Sequence, residues 1–159
     1  MKYTIADIAR IIDAETKATS AITIDNILLD SRKVYEPSVT LFFALKGPRR
    51  DGHQFIPELY KRGVRSFVIC EPIDQTDCPD AIFLDVYDSL VALQMLMAHH
   101  RRQFDIPVIG ITGSNGKTII KEWLFQLLNE DFNIVRSPKS YNSQIGVPLS
   151  IWPMNEQHT

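Results

Sequence analysis

The chain has 159 residues, of which 45% are apolar and 23% charged, a balance typical of globular domains that excludes an intrinsically disordered chain. Its formal net charge of −2 is too small and of the wrong sign to attract nucleic acid or an anionic membrane, so we expect neither partner. The sequence lacks a long apolar run and a secretory leader, which predicts no membrane insertion. Two cysteines, Cys70 and Cys78, are too few for a disulfide framework, and reduced thiols favour a cytoplasmic location.

Strand-like and helix-like segments alternate along the first hundred residues, which predicts an α/β fold. Helices are predicted after Thr4, whose side chain can cap one, over residues 54–62, with Phe55 facing inward, and after Asp88, a second candidate cap. Short apolar runs predict strands at residues 21–29, 40–45, 66–70 and 81–86. The acidic, proline-containing stretch 71–80 is predicted to be a surface loop.

A second unit is predicted to begin near residues 102–105, after a complete α/β set. There Val108 and Ile109 predict a strand that leads into a glycine-rich loop, and residues 117–129 predict a helix with a broad apolar face that includes Trp123. The predicted domains are therefore 1–104 and 105–159. The second is shorter than a typical domain, so it is either the start of a longer one or an incomplete lobe packed on the first.

The sequence Gly-Ile-Thr-Gly-Ser-Asn-Gly-Lys-Thr at residues 110–118 is predicted to bind the phosphates of ATP. A loop between a strand and a helix directs backbone N–H groups and the positive end of the helix at one anion. Lys117 would reach the terminal phosphates as the catalytic cation, and the Thr118 hydroxyl would ligate Mg²⁺. The strict P-loop pattern requires glycine where this chain has Ile111, so a glycine-rich turn with a surface lysine is the alternative. The predicted phosphate-binding residues are Gly113, Ser114, Asn115, Gly116, Lys117 and Thr118.

Three stretches together resemble the Mur ligase family, ATP-dependent enzymes that add amino acids or a dipeptide to a UDP-muramyl precursor of peptidoglycan. One is the glycine loop itself, with glycines at 110, 113 and 116. The second comprises residues 30–32, 41–47 and 51–55, which are similar to the first domain of the MurE and MurF branches. The third, residues 140–149, resembles the Asn-Asn-x-x-Gly-x-Pro segment of the MurF branch, with Ser143 in place of the second asparagine.

The resemblance implies a small mixed-sheet UDP-binding domain followed by the start of a P-loop ATP-binding α/β domain. It also implies that six residues bind the UDP-muramyl substrate: Ser31, Arg32, Lys46, Gly47, His53 and Asn142. Hydroxyl and guanidinium donors suit a diphosphate or a uracil carbonyl, although a solvated β-turn would use the same residues. Asp51 is predicted to cap the helix that follows, which leaves His53 either a ligand contact or an idle surface ring.

The activity implied by the resemblance is amide ligation by a monomer. ATP would phosphorylate the carboxylate of a UDP-muramyl tripeptide, and the amine of D-alanyl-D-alanine would then displace phosphate. The family's further metal ligands, its carbamylated lysine and its C-terminal domain would lie beyond Thr159, so we expect the chain alone to be inactive. Two alternatives remain: a MurE-type or folylpolyglutamate-synthase-like ligase, of which the folate branch lacks such a first domain, and a non-catalytic nucleotide or UDP-sugar-binding module.

Overall fold

The computed structural model of the chain describes residues 3–16, 21–48, 50–138 and 141–159. These form two compact units, Lys2–Leu96 and Met97–Thr159, and the division falls inside one long helix. The predicted division into functional domains at 104/105 stays a prediction, because compactness alone does not assign function to either side.

The first unit alternates short strands and helices, as the sequence predicts. Its elements are β1 (Tyr3–Thr4), α1 (Ile5–Ile11), β2 (Thr23–Ile24), β3 (Asn26–Leu28), β4 (Thr40–Phe43), α2 (Ile56–Lys61), β5 (Ser66–Ile69), β6 (Ile82–Asp85) and α3 (Ser89–Arg102), the last of which continues into the second unit. Short 3-10 helices, Pro37–Val39 and Gly52–Phe55, precede β4 and α2. The predicted strand at 21–29 is two strands separated by Asp25.

Both predicted helix caps are confirmed. The Thr4 hydroxyl accepts the backbone N–H of Asp7 at 3.1 Å, and the Asp7 carboxylate accepts the N–H of Thr4 at 3.2 Å, which makes a reciprocal capping box at the start of α1. At α3, Asp88 accepts the N–H groups of Leu90 and Val91 at 2.7 and 3.0 Å. These side chains satisfy amides that have no partner within the helix.

Strand pairing is parallel in one sheet and antiparallel in the other. Strands β3, β4, β5 and β6 lie side by side in chain order and are all parallel, whereas β1 and β2 form an antiparallel pair. Every residue of β4 and β5 is buried, as expected for parallel strands covered on both faces. The α/β class with both kinds of pairing is confirmed, and the carboxyl ends of all four parallel strands meet at one edge, called here the carboxyl edge.

The core of the first unit is a stack of aromatic and aliphatic side chains on the parallel sheet. Phe67 of β5 contacts Phe42 edge-on, with ring centroids 6.4 Å apart, and stacks on Phe83 at 5.6 Å. Ile56 and Leu59 of α2 are fully buried against this sheet cluster. Burying one such side chain stabilises the fold by about 2 kcal/mol. The inward position predicted for Phe55 is wrong: this residue ends the 3-10 turn and is 37% exposed.

The second unit contains the end of α3, then α4 (Lys117–Leu128) and α5 (Gly146–Leu149). The strand predicted at Val108 and Ile109 is wrong, since these residues belong to no strand or helix and are 66% and 63% exposed. A strand needs a neighbouring backbone for its hydrogen bonds, and the described part of residues 97–159 contains no other strand. Trp123 of α4 was predicted to be core but is 63% exposed. No residue of α4 is buried in the described part of the chain.

His100 closes a small core in the second unit. Its Nε2 lies 3.0 Å from the Met154 carbonyl, and its ring contacts Phe104 and Trp152 at centroid distances of 5.2 Å each. Because a carbonyl only accepts, Nε2 carries the proton. Burial lowers the pKa of His100, and the buried ring connects the end of α3 with Trp152 and Met154. Among the described helices, none has both the length and the apolar character required to cross a bilayer.

Candidate functional site

The carboxyl edge of the parallel sheet brings together five of the predicted substrate residues. Ser31 and Arg32 follow β3, Lys46 and Gly47 follow β4, and the His53 ring reaches the residue that follows β5. In open α/β sheets, ligands bind outside the carboxyl ends of the strands, where loops from several strands converge. The residues inferred from the resemblance thus come from one edge rather than from scattered surface turns.

The loop after β3 presents a preoriented guanidinium group. Arg32 Nε and Nη2 donate to the two Asp30 oxygens at 2.8 Å each, and the Arg32 side chain is 80% exposed. This fork of hydrogen bonds holds the pKa of Asp30 well below its usual range. Ser31 is buried, and its backbone carbonyl accepts from Arg62 Nη1 at 2.5 Å, which anchors the loop to the end of α2.

The loop after β4 is a compact turn that carries an exposed ammonium group. Lys46 forms an ion pair with Glu71, the second residue after β5, and this hydrogen bond raises the pKa of Lys46. The Gly47 N–H donates to the Arg50 carbonyl at 2.9 Å, and Lys46 pairs with Asp51 across an isolated antiparallel bridge. Lys46 is therefore flanked by two carboxylates and accessible to solvent on its outer side.

Gly52 permits this turn to close. Its N–H donates to the Leu45 carbonyl at 2.9 Å, and a Cβ added to it would lie 2.7 Å from the Leu45 nitrogen and 2.9 Å from the Ala44 Cα. Both contacts are with backbone atoms that cannot rotate away. The position therefore requires glycine because two backbone segments approach closely there.

His53 is buried, with 8% of its surface exposed, and both of its ring nitrogens are engaged. Nε2 accepts the Cys70 N–H at 3.1 Å, while Nδ1 lies 2.5 Å from Asp51 Oδ1. The same Asp51 oxygen accepts the His53 backbone N–H at 2.9 Å, which confirms the predicted cap. The hydrogen bonds with the His53 ring and with its backbone N–H lower the pKa of Asp51. The reading of His53 as an idle surface ring is wrong, because the ring is buried and both nitrogens contact protein groups. Its contact with a ligand stays a prediction.

One polar residue at the same edge, Ser89, was not singled out from the sequence. Ser89, at the start of α3, is buried and donates its hydroxyl to the Ala44 carbonyl at 2.9 Å. Its oxygen also lies 3.5 Å from Cys70 Sγ. Nothing in the local sequence distinguishes Ser89 from an ordinary helix-start serine, because both of its partners are far away in the chain.

The glycine loop leads into α4 in the geometry of an anion site. Gly116 is the residue before the helix and has φ of 77°, and Gly113 has φ of 140°, so both lie in the region that favours glycine. Ser114 and Asn115 between them are exposed. The first N–H groups of α4, a helix of twelve residues, follow directly and form the positive end of its dipole.

Lys117 folds back over this loop. Its ammonium group donates to the Gly113 carbonyl and lies 3.5 Å from the Ser114 carbonyl. Thr118 is exposed in the first turn of α4, where its hydroxyl can serve as one ligand of a phosphate-bound Mg²⁺. No group of three or more His, Cys, Asp or Glu side chains in the described ranges could hold a metal ion. Thr118 and the phosphates would thus supply only part of such a coordination shell.

The predicted segment at 140–149 begins with Ser140, which lies outside the described residues. Asn142 is exposed in the turn before α5. Ser143, which replaces the second asparagine of the motif, accepts the Gly146 N–H at 2.9 Å and so holds the start of the helix. A structural role for residue 143 is therefore compatible with serine, and the amide of Asn142 remains accessible to solvent.

Comparison with known proteins assigns the family. A model described as "Mur ligase family, catalytic domain" matches residues 23–109. The UDP-N-acetylmuramoyl-tripeptide--D-alanyl-D-alanine ligase of Synechocystis sp. is 38% identical over 143 residues, covering 90% of this chain and 31% of the relative. The ligase of the same name from Bacillus subtilis is 33% identical, covering 84% of this chain and 28% of the relative.

Solved structures agree with the sequence comparison. MurF from Acinetobacter baumannii superposes with a TM-score of 0.90 at 29% identity, over 99% of this chain and 34% of that protein. MurF ligase from Thermotoga maritima, solved in complex with ADP, gives 0.71 at 32% identity, over 84% of this chain and 30% of that protein. The chain spans about a third of the length of the proteins it matches. It belongs to the Mur ligase family.

Proposed function

We propose that this chain supplies the UDP-muramyl-binding part and the ATP phosphate loop of a UDP-N-acetylmuramoyl-tripeptide--D-alanyl-D-alanine ligase. The observation that carries the proposal is the carboxyl edge, where Arg32 and Lys46 present two exposed cations at the ends of adjacent parallel strands. Similarity to ligases of that name supports the choice of substrate. The relatives are about three times as long as this chain, so we assign the ligase activity to a larger protein. These 159 residues would bind and orient its substrates.

In the first unit, the expected chemistry is recognition rather than bond making. Arg32 can offer a planar pair of N–H donors to a diphosphate, and Lys46 can offer a mobile point charge beside it. Both cations are now paired with carboxylates, Asp30 and Glu71, which a diphosphate would have to displace or share. The backbone of Ser31 and Gly47 would set the distance between the two cations.

In the second unit, we propose that the glycine loop holds ATP by its phosphates. The residues are Gly113, Ser114, Asn115, Gly116, Lys117 and Thr118. Their N–H groups and the α4 dipole would hold the β-phosphate, and Lys117 would leave the Gly113 carbonyl for the γ-phosphate. A Mg²⁺ ion on Thr118 and the phosphates would neutralise charge on the transferred group. The free thiols of Cys70 and Cys78 support a location in the cytoplasm, and we propose a monomer that acts on small molecules.

The proposed substrate site predicts unequal effects of two similar arginine substitutions. Arg32→Ala and Lys46→Ala should each weaken binding of UDP-N-acetylmuramoyl-tripeptide about tenfold, since each removes one charged hydrogen-bond donor. Arg10→Ala is the matched control, because Arg10 is an equally exposed arginine paired with Asp7 on α1. It should bind with wild-type affinity in isothermal titration calorimetry. If Arg32→Ala and Arg10→Ala bind the UDP-muramyl substrate with equal affinity, the carboxyl edge is not the substrate site.

Catalysis by the isolated 159-residue chain is not expected. Within the described residues there is no acidic or histidine cluster to complete a metal site, and α4 leaves its apolar face uncovered. With ATP, UDP-N-acetylmuramoyl-tripeptide and D-alanyl-D-alanine supplied together, we expect phosphate release at the rate of the protein-free control. Release that depends on both peptide substrates would contradict this expectation.

A further inference from the structure

Three chain segments are joined at the carboxyl edge by polar contacts, of which one is buried and two are partly buried. His53 Nε2 bonds the Cys70 N–H at 3.1 Å, and Ser89 Oγ bonds the Ala44 carbonyl at 2.9 Å and lies 3.5 Å from Cys70 Sγ. These contacts link the loop after β4 with the end of β5 and the start of α3. We call His53, Cys70, Ser89 and the Ala44 carbonyl the edge network.

The hydrogen-bond partners of His53 determine which of its ring nitrogens carries the proton. The Cys70 N–H can only donate, so Nε2 must be the unprotonated nitrogen. In the neutral ring the proton then sits on Nδ1 and is donated to Asp51 Oδ1, 2.5 Å away. The ring thus uses Nδ1 as a donor and Nε2 as an acceptor at the same time. An apolar side chain of similar size can make neither hydrogen bond.

One partner of His53, Asp51, flanks Lys46 directly, and the other, Cys70, is the chain neighbour of Glu71. Asp51 lies opposite Lys46 in the isolated β-bridge, and Cys70 immediately precedes Glu71, the ion-pair partner of Lys46. The imidazole therefore spans the two backbone segments between which the Lys46 ammonium lies. Loss of this span would free the turn after β4 to shift relative to β5, and the position of Lys46 would shift with it.

We propose that His53 is a positioning residue: without touching the substrate, it holds Lys46 in place for the diphosphate, with Ser89 supporting the same turn from α3. This inference rests on the function proposed above. It assigns to His53 a role distinct from the direct substrate contact implied by the family resemblance, because both ring nitrogens are already bonded to protein.

The test compares three variants of the 159-residue chain by their affinity for UDP. His53→Leu removes both hydrogen bonds, and His53→Gln keeps an acceptor and a donor at the end of the side chain. Thr40→Val is the matched control, because Thr40 is also buried and its hydroxyl bonds the Glu36 carbonyl at 2.6 Å, at the opposite end of β4. Affinities are measured by calorimetry at a temperature where circular dichroism shows every variant to be folded.

We expect His53→Leu to weaken UDP binding about tenfold and to speed hydrogen exchange at the Cys70 amide by a similar factor. His53→Gln should restore the affinity to within about threefold, and Thr40→Val should bind as the wild type does. If His53→Leu does not fold, Ser89→Ala, which removes the support from α3, should weaken UDP binding about threefold.

The inference fails if folded His53→Leu binds UDP like the wild type, or if Thr40→Val weakens binding equally, which would indicate general destabilisation. Failure of the proposed function looks different: in that case the wild-type chain itself does not bind UDP, and both proposals fall together.

Discussion

Replacing Gly52 by alanine is expected to destabilise the first unit by about 3 kcal/mol. The added Cβ would lie 2.7 Å from the Leu45 nitrogen and 2.9 Å from the Ala44 carbonyl carbon, and overpacking against rigid groups costs up to about this amount. The strain falls on the turn that carries Lys46, so affinity for UDP should decrease in parallel. Urea unfolding followed by circular dichroism measures the free-energy change.

Gly47→Ala is the matched control for this effect. Gly47 belongs to the same turn, yet a Cβ there would meet only the Arg50 carbonyl oxygen, at an ordinary contact distance of 3.6 Å. We expect its free energy of unfolding to stay within about 0.5 kcal/mol of the wild type. Both tryptophans, Trp123 and Trp152, lie in the second unit, so their fluorescence reports separately on residues 97–159. A Gly52→Ala chain as stable as Gly47→Ala would contradict the close approach.

Lys117→Met should weaken ATP binding about 30-fold, equivalent to about 2 kcal/mol for one hydrogen bond to a charged group. The side chain keeps its length and apolar stem but loses the ammonium group that now lies over the Gly113 carbonyl. Since that contact is within an exposed loop, we expect little change in stability. Equilibrium binding of ATP in the presence of Mg²⁺, followed by calorimetry, gives the affinity.

Lys121→Met, one turn further along α4, is the control for charge. Lys121 Nζ bonds the Ser137 carbonyl at 2.7 Å, its side chain is only 14% exposed, and burial lowers its pKa. We expect this variant to lose thermal stability while its affinity for ATP stays within about threefold of the wild type. The phosphate-loop assignment is wrong if the two substitutions weaken ATP binding equally, or if neither does.

Features set by local sequence were predicted correctly. The caps at Thr4 and Asp88 depend on side chains that bond amides two or three residues away, so the pattern alone reveals them. Strands β4 and β5 follow from short apolar runs between turns, because every residue of these two strands is buried. The structure gives positive φ to Gly113 and Gly116, two glycines of the predicted phosphate-binding loop.

Predictions that depended on unseen partners failed. Val108 and Ile109 have the composition of a strand, but a strand forms only beside another, and none is present in the described part of the second unit. Trp123 lies on an apolar helix face that periodicity identifies correctly, whereas burial depends on what packs against that face. Phe55 was predicted to face inward from the spacing of an α-helix. It ends a 3-10 helix instead, in which side chains repeat every three residues and point in other directions.

The sequence predicted the two cations at the carboxyl edge but not the contacts behind them, because those contacts also depend on distant residues. Arg32 and Lys46 were singled out through a family resemblance, and the parallel topology brings their loops to the same edge. The network behind them was not foreseeable, because the His53–Cys70 and Ser89–Ala44 contacts join residues 17 and 45 positions apart. A buried hydrogen bond between distant segments leaves no periodic signal in either of them.

The central claim is that the carboxyl edge binds a UDP-muramyl substrate, and titration of the 159-residue chain with UDP-N-acetylmuramoyl-tripeptide tests it most directly. The amide spectrum of the ¹⁵N-labelled chain shows which residues respond. We predict saturable shifts at Ser31, Arg32, Lys46, Gly47 and Cys70, with the Arg10 region unaffected. Saturable shifts confined to other surfaces, or no shift at millimolar substrate, would contradict the claim.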